Sequence, residues 1–122
     1  MDGNMVLDKI KAALKPGDKF INPGGGITTI KSITSSKIYY IRGSSTMSLD
    51  INIIKEVYDH FKGSTFTTND LKKCCPKSFD PKASGHSCNC TVLFMLLKKI
   101  GLVDNIMGEG KRNSTFYIYI GQ

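Results

Sequence analysis

A chain of 122 residues, 40% hydrophobic and 22% charged, has the size and makeup of one globular domain, or of two very small ones sharing a core. No tract approaches the roughly 18 apolar residues that a membrane span needs, and the N-terminus lacks the basic-then-apolar order of a signal peptide. Seventeen Lys and Arg against ten Asp and Glu leave a net charge of +7, a surplus that favours polyanionic partners, nucleic acid foremost.

The first predicted element is an amphipathic helix over residues 5–14, MVLDKIKAAL, with Met5 or Val6, Ile10, Ala13 and Leu14 on one face. Pro16 and Gly17 stop it. Strand-like runs follow: DKFIN, the turn PGGG, ITTIKSIT, a Ser-Ser turn, KIYYIRG, and STMSL as a short final strand. So few short strands need a cover, and the expectation is a small curled or SH3-like antiparallel sheet capped by the first helix. The PGGG run is not a phosphate loop. Such a loop needs Lys and Ser or Thr at the head of a helix, and here a strand follows, so the glycines read as a hairpin turn.

From Ser48 the hydrophobic period changes. LDINIIKEVYDHF sets Ile53, Ile54, Val57, Tyr58 and Phe61 on one side of a helix that Gly63 ends. Thr67 with Asp70 three residues on is a capping-box start for a short helix, which Pro76 closes after about two turns. The loop KSFDPKASGH leads to a third helix carrying Val92, Leu93, Leu96, Leu97 and Ile100, with Gly101 as its stop. Last come LVDNIM, a tip GEGKRN and the alternating strand STFYIYI, with Phe116, Ile118 and Ile120 on its apolar side. Helix, short helix, helix and basic-tipped hairpin is the order of a winged helix.

All four cysteines, Cys74, Cys75, Cys88 and Cys90, fall in one window, and nothing indicates secretion, so they read as reduced thiols in a cytoplasmic protein. The sequon at Asn113 is then not glycosylated. A zinc ion, if present, would take Cys75, His86, Cys88 and Cys90. That set needs residues 84–90 to be a loop, because helix positions two apart project about 200° from one another. A thiol nucleophile at Cys88 lacks an acidic orienter for His86. The expectation is therefore no metal, no cofactor and no catalysis.

The remaining reading of ASGHSCNCTVLFMLLKKIGLV is a recognition helix with a polar leading end and an apolar rear. Ser84, His86, Ser87, Asn89 and Thr91 form its outward set, Asn being able to bond adenine on two edges. The amides of Gly85 to Ser87 add a phosphate seat. Between Leu71 and Lys99 stand six lysines, Lys72, Lys73, Lys77, Lys82, Lys98 and Lys99, and one acid, Asp80. Lys111 and Arg112 occupy the hairpin tip. Competing readings make His86 a helix cap or the partner of a carbonyl, and Asn89 the partner of a buried backbone group.

The segments SLDINIIKEVYDHFKGSTFTTNDLKK, FDPKASGHSCNCTVLFMLLKKIGLV and GKRNSTFYI together resemble winged-helix modules attached to restriction endonucleases and related mobile-element proteins. They cover a little over half the chain, and the resemblance implies duplex DNA binding without chemistry. No PD-(D/E)xK-like acidic cluster or His-Asn-His pattern accompanies them. The expectation is an α+β chain with a helix and small sheet over 1–47 and a winged helix over 48–122, acting as a non-enzymatic double-stranded DNA binder. Asn89→Ala should relax base preference, and Lys98→Ala should weaken all sequences alike. The alternative is a small protein-binding inhibitor or adaptor, of phage or bacterial type, that docks on a nucleic-acid enzyme.

Overall fold

The computed structural model describes residues 2–108 and 115–121. Helix α1 (Gly3–Ala13) begins where the Asp2 side chain accepts the Met5 N–H, and Val6, Leu7, Ile10 and, just beyond its end, Leu14 are buried. Gly17, with φ of 94°, takes the left-handed turn that Pro16 leads into, and its N–H meets the carbonyl of Ile30 at 2.7 Å.

Strands β1 (Lys19–Ile21), β2 (Ile27–Ile33), β3 (Lys37–Arg42) and β4 (Ser45–Asp50) then form an antiparallel meander in that spatial order. The sheet is open, with β1 and β4 at its edges, so a closed barrel is not formed. A shift in register between Ile30 and Ser32 bends β2. Ile30, Ile38, Tyr40 and Leu49 line its buried face.

Asp50 ends β4 and caps helix α2 (Ile51–Phe61) by accepting the Asn52 N–H. Ile51, Ile54, Val57 and Tyr58 are buried on α2, and α1 packs mainly on this helix rather than over the sheet. That corrects the expected role of the first helix. Its apolar stripe matches α2, and Gly3 is needed for the approach: a Cβ there would meet Lys55 and Asp59 atoms, and the Gly3 N–H bonds Asp59 Oδ1 at 3.0 Å.

Strand β5 (Thr65–Thr67) runs into helix α3 (Thr68–Cys74) through a complete Thr67–Asp70 capping box. Pro76 does not simply end the helical region. It occupies the first turn of a second short helix, α4 (Pro76–Phe79), where its missing N–H costs nothing, and a 3-10 turn (Pro81–Ala83) follows. Helix α5 (Cys88–Lys99) is next, and strand β6 (Tyr117–Tyr119) returns to pair antiparallel with β5. A bridge joins Met107 to Tyr117, and the expected hairpin tip, with Lys111, Arg112 and Asn113, lies outside the described residues.

One hydrophobic cluster joins α1, the sheet, α2, α5 and β6, and a boundary at residue 47 falls inside β4. Helix α5 is its axis. Asn89, Cys90 and Val92 through Leu97 are all buried, leaving Thr91 alone of residues 89–97 in partial contact with solvent. A helix enclosed on nearly every side is a core element before it is a surface one. On one flank Phe94 meets Phe66 edge-on at 5.6 Å, and Phe66 stacks on Phe61 at 4.3 Å. On the other flank the sheet reaches across with Tyr40 and Arg42.

Candidate nucleic-acid interface

The capping box of α3 fixes which side chains its first turn presents. With Thr67 and Asp70 bonded to each other's backbone at 3.1 and 2.8 Å, Thr68, Asn69 and Lys72 turn towards the start of α5. There they border a cavity of about 300 Å³ whose far wall is Ser87, Cys90 and Thr91 and whose end is Thr115 and Phe116. The polar lining is four hydroxyls, one amide and one ammonium, without a carboxylate. Hydroxyl and amide groups can donate to or accept from a phosphodiester, and the Lys72 ammonium supplies the charge that neutral groups lack.

The leading end of α5 differs from the sequence expectation. Regular helix begins at Cys88, and in the preceding crossing over α4 the Gly85 and His86 amides are taken by the Asp80 and Ser78 carbonyls rather than left open as a phosphate seat. Gly85 is buried in that crossing, where a Cβ would stand 2.7 Å from each of three backbone atoms, Asp80 N, Phe79 N and Pro76 O. Ser84, with φ of 68°, ends the 3-10 turn in the left-handed region and is exposed. His86 and Ser87 are exposed ahead of the helix, with the His86 N–H held by the Ser78 carbonyl at 3.1 Å. No side chain caps α5, so His86 is not a cap.

Asn89 is the chief correction. It is 3% exposed and cannot face a groove. Its Oδ1 accepts the Tyr40 hydroxyl at 2.6 Å and its Nδ2 donates to the Ser78 carbonyl at 2.8 Å, so it ties α5 to both β3 and α4. Burial pushes the Tyr40 phenol up from its ordinary value, which keeps that hydroxyl a donor. Thr91 is half-buried and also committed. It donates to the Cys88 carbonyl at 3.2 Å and accepts from Arg42 Nη2 at 3.1 Å, while its flank still borders the cavity.

Of the lysines, Lys72 lines the cavity, and Lys73, Lys77 and Lys82 are exposed on α3, α4 and the 3-10 turn. Lys98 lies elsewhere, beside Lys19, Phe20, Ile21 and Met95 in a separate groove. Lys99 is engaged with Asp18 at 3.8 Å and with the Phe20 ring. Sequence reasoning missed Arg42, one of two arginines in the chain. Its position at the end of KIYYIRG gave no local signal, because its partners Asn22, Thr28 and Thr91 are distant in sequence.

The four cysteines do not form one cluster, although Cys74 and Cys75 touch through their sulfurs at 2.9 Å. Cys90 is 1% exposed and turns beneath α3, its Sγ 3.9 Å from the Thr68 carbonyl. Cys88 precedes it on the same helix, so the two project apart. Among the described residues no three His, Cys, Asp or Glu side chains come together as metal ligands would. Burial pushes the Cys90 thiol up to about 12. Cys75 is likewise pushed up to about 12, by burial and then by its bond to Cys74. Treating the folded protein with iodoacetamide at neutral pH should therefore modify exposed Cys74 well before Cys90, which should react only after denaturation. Site-by-site mass spectrometry checks this order, and early labelling of Cys90 would mean that α5 opens readily.

No helix among the described residues is long and apolar enough to cross a membrane. In comparisons with known proteins, no family model, curated protein or solved structure matches the chain.

Proposed function

We propose that this chain binds double-stranded DNA without chemistry of its own, anchoring phosphates where α3 meets the start of α5. The observation that carries this reading is the cavity around Lys72, whose polar lining is entirely neutral or cationic on a chain of net charge +7. From Leu71 to Lys82 the sequence carries Lys72, Lys73, Lys77 and Lys82 and one acid, Asp80, while Asp70, just ahead of them, is occupied in the capping box of α3. Asp80 is occupied in capping the 3-10 turn through the Lys82 N–H.

The order α2, β5, α3, α5, β6, with β6 paired to β5 and a bridge at Met107–Tyr117, supports a winged-helix reading of the C-terminal half. It departs from the simplest form of that fold in the inserted α4 and 3-10 turn and in the enclosure of α5. Base contacts then fall to His86, Ser87 and the free flank of Thr91, and affinity rests chiefly on phosphate.

With about four phosphates neutralised, log affinity for a short duplex should fall with log salt at a slope near −3.6, and Lys72→Ala should reduce the slope by about 0.9. Fluorescence anisotropy over a salt series measures both. Lys98→Ala should change the slope less than Lys72→Ala. A wild-type slope near zero would remove the phosphate-anchor reading.

A second reading, docking on a protein, is favoured by one feature. Ile21 is 84% exposed and sits in register opposite Ile27, itself 54% exposed, beside a groove of about 510 Å³ bordered by Phe20, Met95 and Ile106. Capture of a partner from lysate that survives nuclease treatment, with loss on Ile21→Asp, would support that reading over duplex binding.

A further inference from the structure

We infer that the groove on the sheet beside Arg42 is a second seat for a phosphoryl oxyanion, adjoining the Lys72 cavity. The inference rests on the duplex-binding reading only for the source of that group, a backbone phosphate of the same DNA.

Arg42 is held by four hydrogen bonds. Its Nε donates to Thr28 Oγ1 at 3.1 Å, and its Nη2 donates to Asn22 Oδ1, Thr28 Oγ1 and Thr91 Oγ1, each at 3.1 Å. Thr28 and Asn22 are buried and locked to one another by a 2.6 Å hydrogen bond. Two of the three acceptor residues thus form a fixed platform, and the guanidinium plane is set before any ligand arrives. All three acceptors are neutral. Among the described residues no carboxylate pairs with Arg42, and its Nη1 has no hydrogen-bond partner. A tie from β3 to Thr91 needs only a neutral donor. A guanidinium with its charge uncompensated and the two N–H donors of Nη1 unused can still donate charge-assisted hydrogen bonds to an oxyanion.

The groove that Arg42 borders suits such a guest. It encloses about 550 Å³, has Lys19 on its rim and contains no acidic side chain. Gly25, Gly26 and Gly43 all line it with positive φ, of 101°, 84° and 63°, conformations that side chains disfavour. At Gly25 and Gly43 a Cβ would meet nothing within 4 Å, so glycine keeps open space that a side chain would fill. The bond from Arg42 to Thr91 joins this groove to the Lys72 cavity, because Thr91 lines the latter. The two basic seats therefore share a wall.

The test is an NMR titration of the full chain that follows the amides of Gly25, Gly26 and Gly43. One arm adds inorganic phosphate, the other a short DNA duplex. In the wild type both ligands should shift these amides saturably. Lys19→Gln should weaken the phosphate response about threefold, the worth of one exposed charge contact. Arg42→Gln, which keeps a hydrogen-bonding side chain at the platform, should abolish it. If that variant loses its fold, Lys19→Gln decides. Glycine amides unmoved by either ligand, or moved equally in both variants, would overturn the seat. Duplex binding with a Lys72-dependent salt slope but silent glycines would overturn it while leaving the DNA reading intact. Phosphate shifts without duplex binding would support the seat for a free phosphoryl compound and remove the DNA reading.

Discussion

Replacing Asn89 with alanine is expected to destabilise the protein by about 3 kcal/mol, with no selective change in base preference. The residue has two separate partners, Tyr40 fully buried and Ser78 half-buried. The Tyr40 hydroxyl, on a side chain 0% exposed, loses its Asn89 acceptor, and the Ser78 carbonyl loses the Asn89 amide but keeps the His86 N–H. The unpaired Tyr40 hydroxyl costs about 1–3 kcal/mol and the lost bond to Ser78 about 1 kcal/mol more, which together outweigh the modest gain from alanine's helix propensity. Tyr40→Phe should cost less, about 1–2 kcal/mol, because it leaves Asn89 Oδ1 unpaired but retains the bond to Ser78. The double variant should cost less than the sum of the two, with a coupling of about 1 kcal/mol or more. Urea unfolding of the four proteins measures the cycle. A coupling near zero would mean that the 2.6 Å bond contributes nothing to the link between sheet and helix.

Asn89 also shows why a local pattern reaches only so far. The period of Val92, Leu93, Leu96 and Leu97 correctly marks α5 and its buried stripe, and the Thr67–Asp70 spacing correctly marks the start of α3. Periodicity supplies an angle around a helix axis, not what lies against the opposite face. That information resides in contacts 49 residues apart, Tyr40 to Asn89 and Arg42 to Thr91, which no window of sequence contains. A signal was nonetheless present. VLFMLL places six apolar residues in succession, which leaves no polar face on that part of α5 and already implies enclosure. The same limit explains α1. Its apolar face was legible, but α2 and the sheet both offered a surface to cover it, and only the fit of Gly3 against Lys55 and Asp59 decides between them. Pro76 forbids the continuation of α3, and its preset φ also favours the start of α4.

Gly85→Ala should be the most damaging single-carbon change in the segment that carries the proposed interface, costing about 3 kcal/mol or more, at or beyond the usual upper range for overpacking. The added Cβ would stand 2.7 Å from Pro76 O, Phe79 N and Asp80 N at once. None of these is the end of a flexible side chain that could swing away. All belong to α4 and its exit, which are themselves pinned by the 2.8 Å bonds from Asp80 N–H to the Pro76 carbonyl and from Gly85 N–H to the Asp80 carbonyl. Relief requires the crossing at residues 84–87 to lift off α4, and His86 and Ser87 would lift with it. Weaker duplex binding should therefore accompany the loss of stability, whereas Lys72→Ala should weaken binding with little effect on stability. The neighbouring position supplies a control of opposite sense. Ser84 holds φ of 68°, a left-handed conformation that costs a non-glycine residue about 1–2 kcal/mol, so glycine there relieves strain and loses only about 0.5–1 kcal/mol to its freer unfolded chain. Ser84→Gly should accordingly be neutral to slightly stabilising in urea unfolding. Equal tolerance of the two changes would mean that the chain does not cross α4 as closely as this geometry requires, and with that the fixed placement of His86 and Ser87 would fall.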